Sequence, residues 1–378
     1  MKILLISEYS RLHNSLKEGL KALGHDVCII GFNDGFKNFP LDFPIIKKWD
    51  TGFLKKIKIV IYRITGFDIS SYLTYIQFLK YRKEYSGYDV VQLINENSFY
   101  CTYKFEKKII TELIKDNKKL YLLSCSYDYL NVRYCFKNLK FKSVIPVYLK
   151  HKIDKKSFWN VLKFQTKSFK KLHNFIYKNC DGIIASDLDY HLPLIGNSKY
   201  LGLIPNPINI SKIKFEPLKI ADKIIIFHGI NELNYLKKGN NIFEKALEKI
   251  RQKYQDKIEI ITVKNIPYNE YINLYNKAHI ILDQVYVYDQ GYNALEAMAK
   301  GKVVFTGAET EFTNYYNLDQ RVCVNALPNV DYLVRELSLL IENHEEIIAM
   351  GKRARLFIEK EHDYINIAQK YIDAWNEN

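Results

Sequence analysis

The sequence lacks most of what marks a secreted, metal-binding or membrane-spanning chain. Its six cysteines, Cys28, Cys101, Cys125, Cys135, Cys180 and Cys323, are scattered, with no Cys-x-x-Cys pair. That spacing fits reduced thiols in a cytosol better than a disulfide framework or a zinc site. No His-Glu-x-x-His occurs either, so no metal is expected. No apolar run approaches the roughly 20 residues needed to span a bilayer. The opening run Ile3–Ile6 is too short for a signal peptide. A cytoplasmic location is the expectation. Acids are also in deficit: 42 Asp and Glu against 56 Lys and Arg leave a net charge of +14. This favours anionic partners such as phosphorylated substrates, anionic lipid or nucleic acid; a compositional bias toward Lys, Tyr, Ile and Asn explains it equally well.

What is present reads as two α/β halves. At 378 residues, 48% of them hydrophobic, the chain is long enough for two cores. Residues 2–6 have the look of a buried parallel strand. A polar turn with Arg11 and His13 follows, then a helix with Leu16, Leu20 and Leu23 at helical spacing, then a strand over Val27–Ile30. The usual Gly-x-Gly-x-x-Gly loop is missing from this Rossmann-like opening. Further strands are predicted at 88–94, 120–124 and 181–186. Asp128 stands in the polar turn after the strand ending at Ser124, as a catalytic acid or as a turn or helix-capping acid. A second half restarts with a strand at 223–227. It continues with helices over 242–253 and 268–278, strands at 258–263, 279–283 and 303–306, and three closing helices.

Two stretches combine bases with apolar residues. Residues 52–85 interleave Lys55, Lys56, Lys58, Arg63, Lys80, Arg82 and Lys83 with Phe, Ile, Leu and Tyr. Residues 136–178 carry twelve lysines, one acid, and aromatics including Phe141, Trp159 and Phe164. Both suit an anionic membrane surface or a solvated basic face. The second also suits single-stranded nucleic acid, which no helix-turn-helix or RNP-like pattern supports.

The chain is organised around residues 288–302, YDQGYNALEAMAKGK. Gly291 opens a short apolar helix whose single acid is Glu296. The free N–H groups at such a helix start favour an anion such as a diphosphate. Glu296, one to two turns further on, is placed to accept hydrogen bonds from two sugar hydroxyls, or simply lies on a salt-bridged face.

This stretch resembles the donor-site signature of GT-B glycosyltransferases, the retaining, nucleotide-sugar-dependent enzymes called family 4. Their pattern is Glu-x7-Glu followed by Ala-Met-Ala-x-Gly. Glu296 matches the second Glu, and Tyr288 stands where the first is expected, with Asp289 beside it. The family's Gly-Arg and Lys-Gly pair finds His228-Gly229 without the Arg, and Lys238-Gly239, with Lys237 adjacent. Ile204-Pro205-Asn206-Pro207 resembles its interdomain linker.

The resemblance implies an α/β, GT-B architecture: two Rossmann-like domains facing each other across a cleft, with a C-terminal helix packing back on the N-terminal domain. The expected bounds are 1–205 for acceptor binding, 206–360 for nucleotide-sugar binding and 361–378 for the returning helix. It implies sugar transfer from a UDP- or GDP-sugar to a glycan or lipid-linked acceptor, with no cofactor. Lys238 with His228, Gly229, Gln290, Gly291, Tyr292, Asn293 and Glu296 would hold the donor. Lys238 would also act in catalysis, and Arg11, His13 and Asp128 are acceptor-side candidates. A His near its ordinary pKa would suit proton transfer. Two rivals stand beside this reading: a non-catalytic nucleotide-sugar binder, and a basic nucleic-acid-binding protein.

Overall fold

Long apolar runs bounded by turns become the interior strands of two parallel sheets. The computed structural model describes residues 1–33, 38–151 and 153–377. The chain divides into two compact units, the first Met1–Tyr134, Asp154–Pro207 and Tyr364–Asn378, the second Cys135–Ile153 and Ile208–Asp363.

The first unit holds seven strands: β1 (Lys2–Ile6), β2 (Asp26–Gly31), β3 (Phe43–Pro44), β4 (Val90–Leu93), β5 (Lys119–Ser124), β6 (Gly182–Ala185) and β7 (Tyr200–Leu203). They lie in the order β3-β2-β1-β4-β5-β6-β7, every pairing parallel. All of β1 but Lys2 is buried, as expected of a strand covered on both faces. Strand order reverses between β1 and β4, and in open sheets of this type ligands bind beyond the strand ends at such a point. The loops there are tied together: Ser7 Oγ donates to the Ser98 carbonyl at 2.7 Å and accepts from the Phe32 N–H at 3.0 Å.

The C-terminal helix Tyr364–Asn376 belongs to this unit and packs on the helix Leu12–Ala22. Gly19 permits the approach, because a Cβ there would lie 2.1 Å from the Tyr364 carbonyl oxygen. Trp375 is buried at the end of this helix, and its carbonyl accepts from the Tyr121 hydroxyl at 3.0 Å.

The second unit holds β8 (Ile224–Ile230), β9 (Ile258–Lys264), β10 (Ile280–Leu282), β11 (Val303–Thr306) and β12 (Val324–Asn325). Their order is β12-β11-β10-β8-β9, again all parallel. Here the order reverses between β8 and β10.

The unit division departs from the expected 1–205 boundary. Residues 135–153 pack within the second unit, where Phe141 stacks on Tyr288 with centroids 4.4 Å apart and Lys142 Nζ pairs with Glu309 at 2.6 Å. Of the aromatics over 136–178, Phe141, Phe158 and Phe164 are buried, Phe136, Tyr148, Phe169, Phe175 and Tyr177 are half-buried, and Trp159 is 54% exposed. Lys152 of the same stretch lies outside the described residues. All six cysteines are free thiols, and among the described residues no helix is long and apolar enough to cross a membrane.

Removing a buried Trp side chain costs about 3–5 kcal/mol. Trp375→Ala should therefore lower the urea midpoint of the first unit's unfolding by that equivalent, followed by circular dichroism. An unchanged midpoint would show that the terminal helix adds nothing to this core.

Candidate functional site

In the second unit the strand-order reversal brings together the ends of β8 and β10. The residue after β10 is Asp283, 3% exposed, and three side chains donate to its carboxylate. Lys238 Nζ lies 2.9 Å from Oδ1, Asn293 Nδ2 3.2 Å from Oδ1, and Thr306 Oγ1 3.3 Å from Oδ2. A buried carboxylate needs such partners. The Lys-Gly pair seen in sequence now has a local reason. Gly239 ends the short helix Tyr235–Lys238 at φ 75°, and a Cβ there would meet Val285 Cγ2 at 2.3 Å. The Lys238 carbonyl accepts from the Val285 N–H at 3.1 Å, which fixes Lys238 against the β10 end.

Gly229, on β8, serves packing. A Cβ there would meet the Tyr271 ring at 2.5 Å. That ring, set edge-on to Phe227 at 5.1 Å, sends its hydroxyl to Asn293 Oδ1 at 3.1 Å, and Tyr275 donates to the Asn293 carbonyl at 2.7 Å. Burial, and secondarily the charge of Asp283, pushes the Tyr271 phenol well up, so it remains a donor. Asn293 is thus held from both ends in the first turn of the helix Tyr292–Ala299. This helix has Gly291 as an extended N-cap and no acid in its first turn. Glu296 is half-buried, and its charge reaches both Tyr271 and Tyr275. Tyr292 is buried on the inner side.

Other expected donor-side residues have different work. Gln290 is buried and donates to the Gly307 carbonyl at 2.7 Å. His228 is fully buried on β8, with Nε2 2.9 Å from Asn240 Oδ1 and no hydrogen-bond partner at Nδ1. Burial pulls its pKa down, so it is neutral and does not replace the missing arginine. Lys237 Nζ donates to the Leu233 carbonyl and Asn234 Oδ1, both at 3.4 Å. Tyr288 stacks on Phe141 and its hydroxyl accepts from the Lys142 N–H at 3.4 Å.

In the first unit the loop after β1 is strained. Ser7, Ser10 and Arg11 take φ values of 64°, 51° and 83°, a left-handed region costly for non-glycine residues. Arg11 pairs with Glu18 at 3.1 Å and lies over Phe39. His13 is fully buried, with Nδ1 2.7 Å from the Ser7 carbonyl and Nε2 3.3 Å from Gln92 Nε2. This geometry assigns the proton to Nδ1, with Nε2 accepting from the amide. Burial lowers its pKa to about 4, against the expected near-neutral titration. Asp128 takes the plainer of its two roles. It caps the helix Tyr129–Lys137, Oδ1 accepting from the Asn131 N–H at 2.7 Å and Oδ2 from Ser124 Oγ at 2.7 Å.

Sequence reading missed the neighbours of Asp128. Glu96 is fully buried after β4, 2.5 Å from His173 Nδ1, and accepts from the Tyr129 N–H at 3.2 Å. Burial, then the charge of Glu96, raises the Asp128 carboxyl to about 7. Also passed over was the Asp187-Leu188-Asp189 spacing after β6, where burial, then Asp189, holds Asp187 well above the usual carboxylate range. The polar run Asn95-Glu96-Asn97 at a strand end was the available signal for the first.

Residues 235–373 match the family model described as glycosyl transferase-like. No curated protein matches the sequence. Sucrose-phosphate synthase from Thermosynechococcus elongatus superposes with a TM-score of 0.63 at 14% identity, covering 100% of this chain and 99% of that one. HepE of Anabaena, in complex with UDP and glucose, gives 0.60 at 12% identity, with both chains covered to 100%. UDP-GlcNAc 2-epimerase from Neisseria meningitidis, bound to UDP-GlcNAc, gives 0.51 at 13%, again over 100% of both chains. The chain has the GT-B fold and resembles GT-B glycosyltransferases.

In GT-B terms the second unit gathers Lys238, Asp283, Asn293 and Tyr271 into one network, beside Gly291 and Glu296. His228 and Gln290 point their polar atoms into the packing, and His13 and Asp128 belong to the first unit's interior. The His13 reading carries a pH signature. Its folded pKa lies below the ordinary value of about 6.5, so the unfolded chain binds the extra proton. The stabilisation is complete above about 6.5 and lost as pH falls toward 4. Wild type should lose about 3 kcal/mol of its advantage over His13→Gln across that window, from denaturant titrations at each pH. A constant difference would mean that this histidine titrates normally.

Proposed function

We propose that the protein transfers a sugar from a nucleotide-sugar donor to a glycan or lipid-linked acceptor, with the donor held by the second unit. The observation that carries this reading is the helix start at Gly291. Its N-cap residue is a glycine and its first turn holds no acid, beside Lys238, whose Nζ lies 2.9 Å from Asp283 at the end of β10. A helix start without an acid in its first turn and a cation together suit a pyrophosphate. HepE is described in complex with UDP and glucose and the epimerase with UDP-GlcNAc, which favours a uridine donor over a guanosine one.

In this mechanism the diphosphate gains charge as the glycosidic bond to it breaks. Lys238, turning from Asp283 to the diphosphate, and the positive end of the helix that begins at Gly291 stabilise that charge. Asp283 keeps Asn293 and Thr306 as partners when the lysine turns away. Glu296 accepts hydrogen bonds from the ribose hydroxyls. The reaction is read as retaining, as the family resemblance implies, and as needing no metal; the Asp187–Asp189 pair makes assays with and without EDTA part of the test. A role in surface polysaccharide or glycoconjugate synthesis at the cytoplasmic membrane face, with the first unit taking the acceptor, completes the reading.

One observation favours a second reading. Tyr288, in the place of the family's first Glu, is stacked on Phe141, so the sugar end has no carboxylate at that position. A donor-binding protein without turnover would follow from that loss.

Titration calorimetry with UDP should show Glu296→Ala weakening binding more than tenfold, or about 1.4 kcal/mol, with an unchanged melting temperature in the absence of nucleotide. Unaltered affinity would reject the ribose role. Turnover of UDP-glucose or UDP-GlcNAc, by transfer or slow hydrolysis, should fall about 100-fold in Lys238→Ala. Nucleotide binding with no turnover on any donor would establish the second reading instead.

A further inference from the structure

The helix Gly52–Thr65 is 14 residues long and contains no buried residue. Its sequence is apolar nonetheless. Phe53 is 74% exposed, Val60 54% and Ile64 79%. Spaced i, i+7 and i+11, the three form one stripe along the helix. Lys56 and Arg63 lie three or four residues from members of that stripe and therefore flank it. Lys58 pairs with Asp50, whose charge Lys55 also feels, but among the described residues Lys56 and Arg63 make no ion pair. Such a stripe in water is unfavourable, and flanking cations mark what would cover it.

The face continues beyond the helix. Gly66 ends it in a left-handed conformation, and Phe67 then packs edge-on to Phe105 at 5.7 Å and against Tyr72 at 5.6 Å. Phe105 also meets Tyr75 at 6.3 Å. Tyr75 and Tyr103 line a cavity of about 500 Å³ whose walls carry Lys104, Lys107 and Lys108. The acid there, Glu112, faces Arg82 at 3.8 Å. Lys108 Nζ lies 5.4 Å from the Tyr75 ring centre, a cation over an aromatic floor. The helix that carries the stripe thus runs, through Phe67 and its contact with Phe105, to an aromatic, trilysine cavity within the first unit.

We propose that this face docks on an anionic lipid bilayer, with Phe53, Val60 and Ile64 at the acyl boundary and the trilysine cavity taking a phospholipid headgroup phosphate. The choice of occupant follows from charge. In a twofold self-association the same patch meets itself, which would set Lys56 and Arg63 of the two copies against one another. A soluble polyanion would match the lysines and leave the stripe in water. The inference deepens the reading of a lipid-linked acceptor, and its test is independent of donor chemistry.

Co-sedimentation of the full chain with vesicles tests it, using phosphatidylcholine alone and mixed with phosphatidylglycerol. Wild type should bind the anionic vesicles about tenfold or more tightly, with the preference reduced at high salt. Phe53→Ser with Ile64→Ser should lose about tenfold on anionic vesicles. Lys104→Glu with Lys107→Glu and Lys108→Glu should abolish the preference for them. Lys107 lies over the Phe175 ring and Lys108 over Tyr75, so unchanged melting temperatures check that each variant is folded; Lys56→Glu with Arg63→Glu replaces any that is not. Equal vesicle binding by wild type and the stripe variant overturns the proposal. So does a wild-type dimer in gel filtration that the stripe variant dissociates. A UDP-induced melting shift in the same samples separates the two readings: its absence would sink the donor site and leave the vesicle result standing.

Discussion

A single buried carboxylate organises the second unit. Asp283 sits where strand order reverses, and a charge there is tolerated only because lysine, amide and hydroxyl donors from three different segments converge on it. Each donor is itself positioned by something cheap in sequence terms. Gly239 lets the Lys238 turn close on Val285, and Gly229 leaves room for the Tyr271 ring that holds Asn293. The helix carrying Asn293 therefore starts at a defined place.

The first unit solves a different problem with similar means. Its buried polar groups cluster behind the ends of β1, β4 and β5: His13 between Ser7 and Gln92, Asp128 on its own helix start, Glu96 against His173. Fully buried His13 and Asp128 have pKa values displaced in opposite directions, to about 4 and about 7, because burial disfavours whichever form is charged. Both are thereby pushed toward neutrality, which suits interior architecture more than proton exchange with solvent. The surface of the same unit is less economical. A whole helix, Gly52–Thr65, lies outside the core with aliphatic and aromatic side chains in water.

Much of this was legible beforehand, and particular residues show why. The strands at 2–6, 120–124 and 303–306 are apolar runs between turn residues, as expected of buried parallel strands. The closing helices carry clear 3.6-residue periodicity. β3, β7 and β12 went unseen because strands of two to four residues have no pattern of their own. At the site, Lys238-Gly239 and Gly291 through Glu296 were readable because spacing along one helix or one turn survives in sequence. Asp283 was seen only as a strand end, and Glu96 was passed over. A hub is defined by what converges on it from distant segments, which spacing does not encode.

The sequence alone determined the two parallel α/β halves and the returning C-terminal helix, because periodicity, turn chemistry and short-range spacing are local properties. Tertiary structure decided which polar residues reach outward. His13, His228, Gln290 and Asp128 carried the right chemistry for a site, yet their polar atoms are spent on neighbours in the interior. The basic, aromatic stretches 52–85 and 136–178 resemble each other in sequence; packing buries Phe78, Tyr85, Phe141, Phe158 and Phe164 and leaves Phe53, Tyr62 and Trp159 exposed. Burial depends on which segments meet in three dimensions, and that is the quantity a linear pattern does not contain.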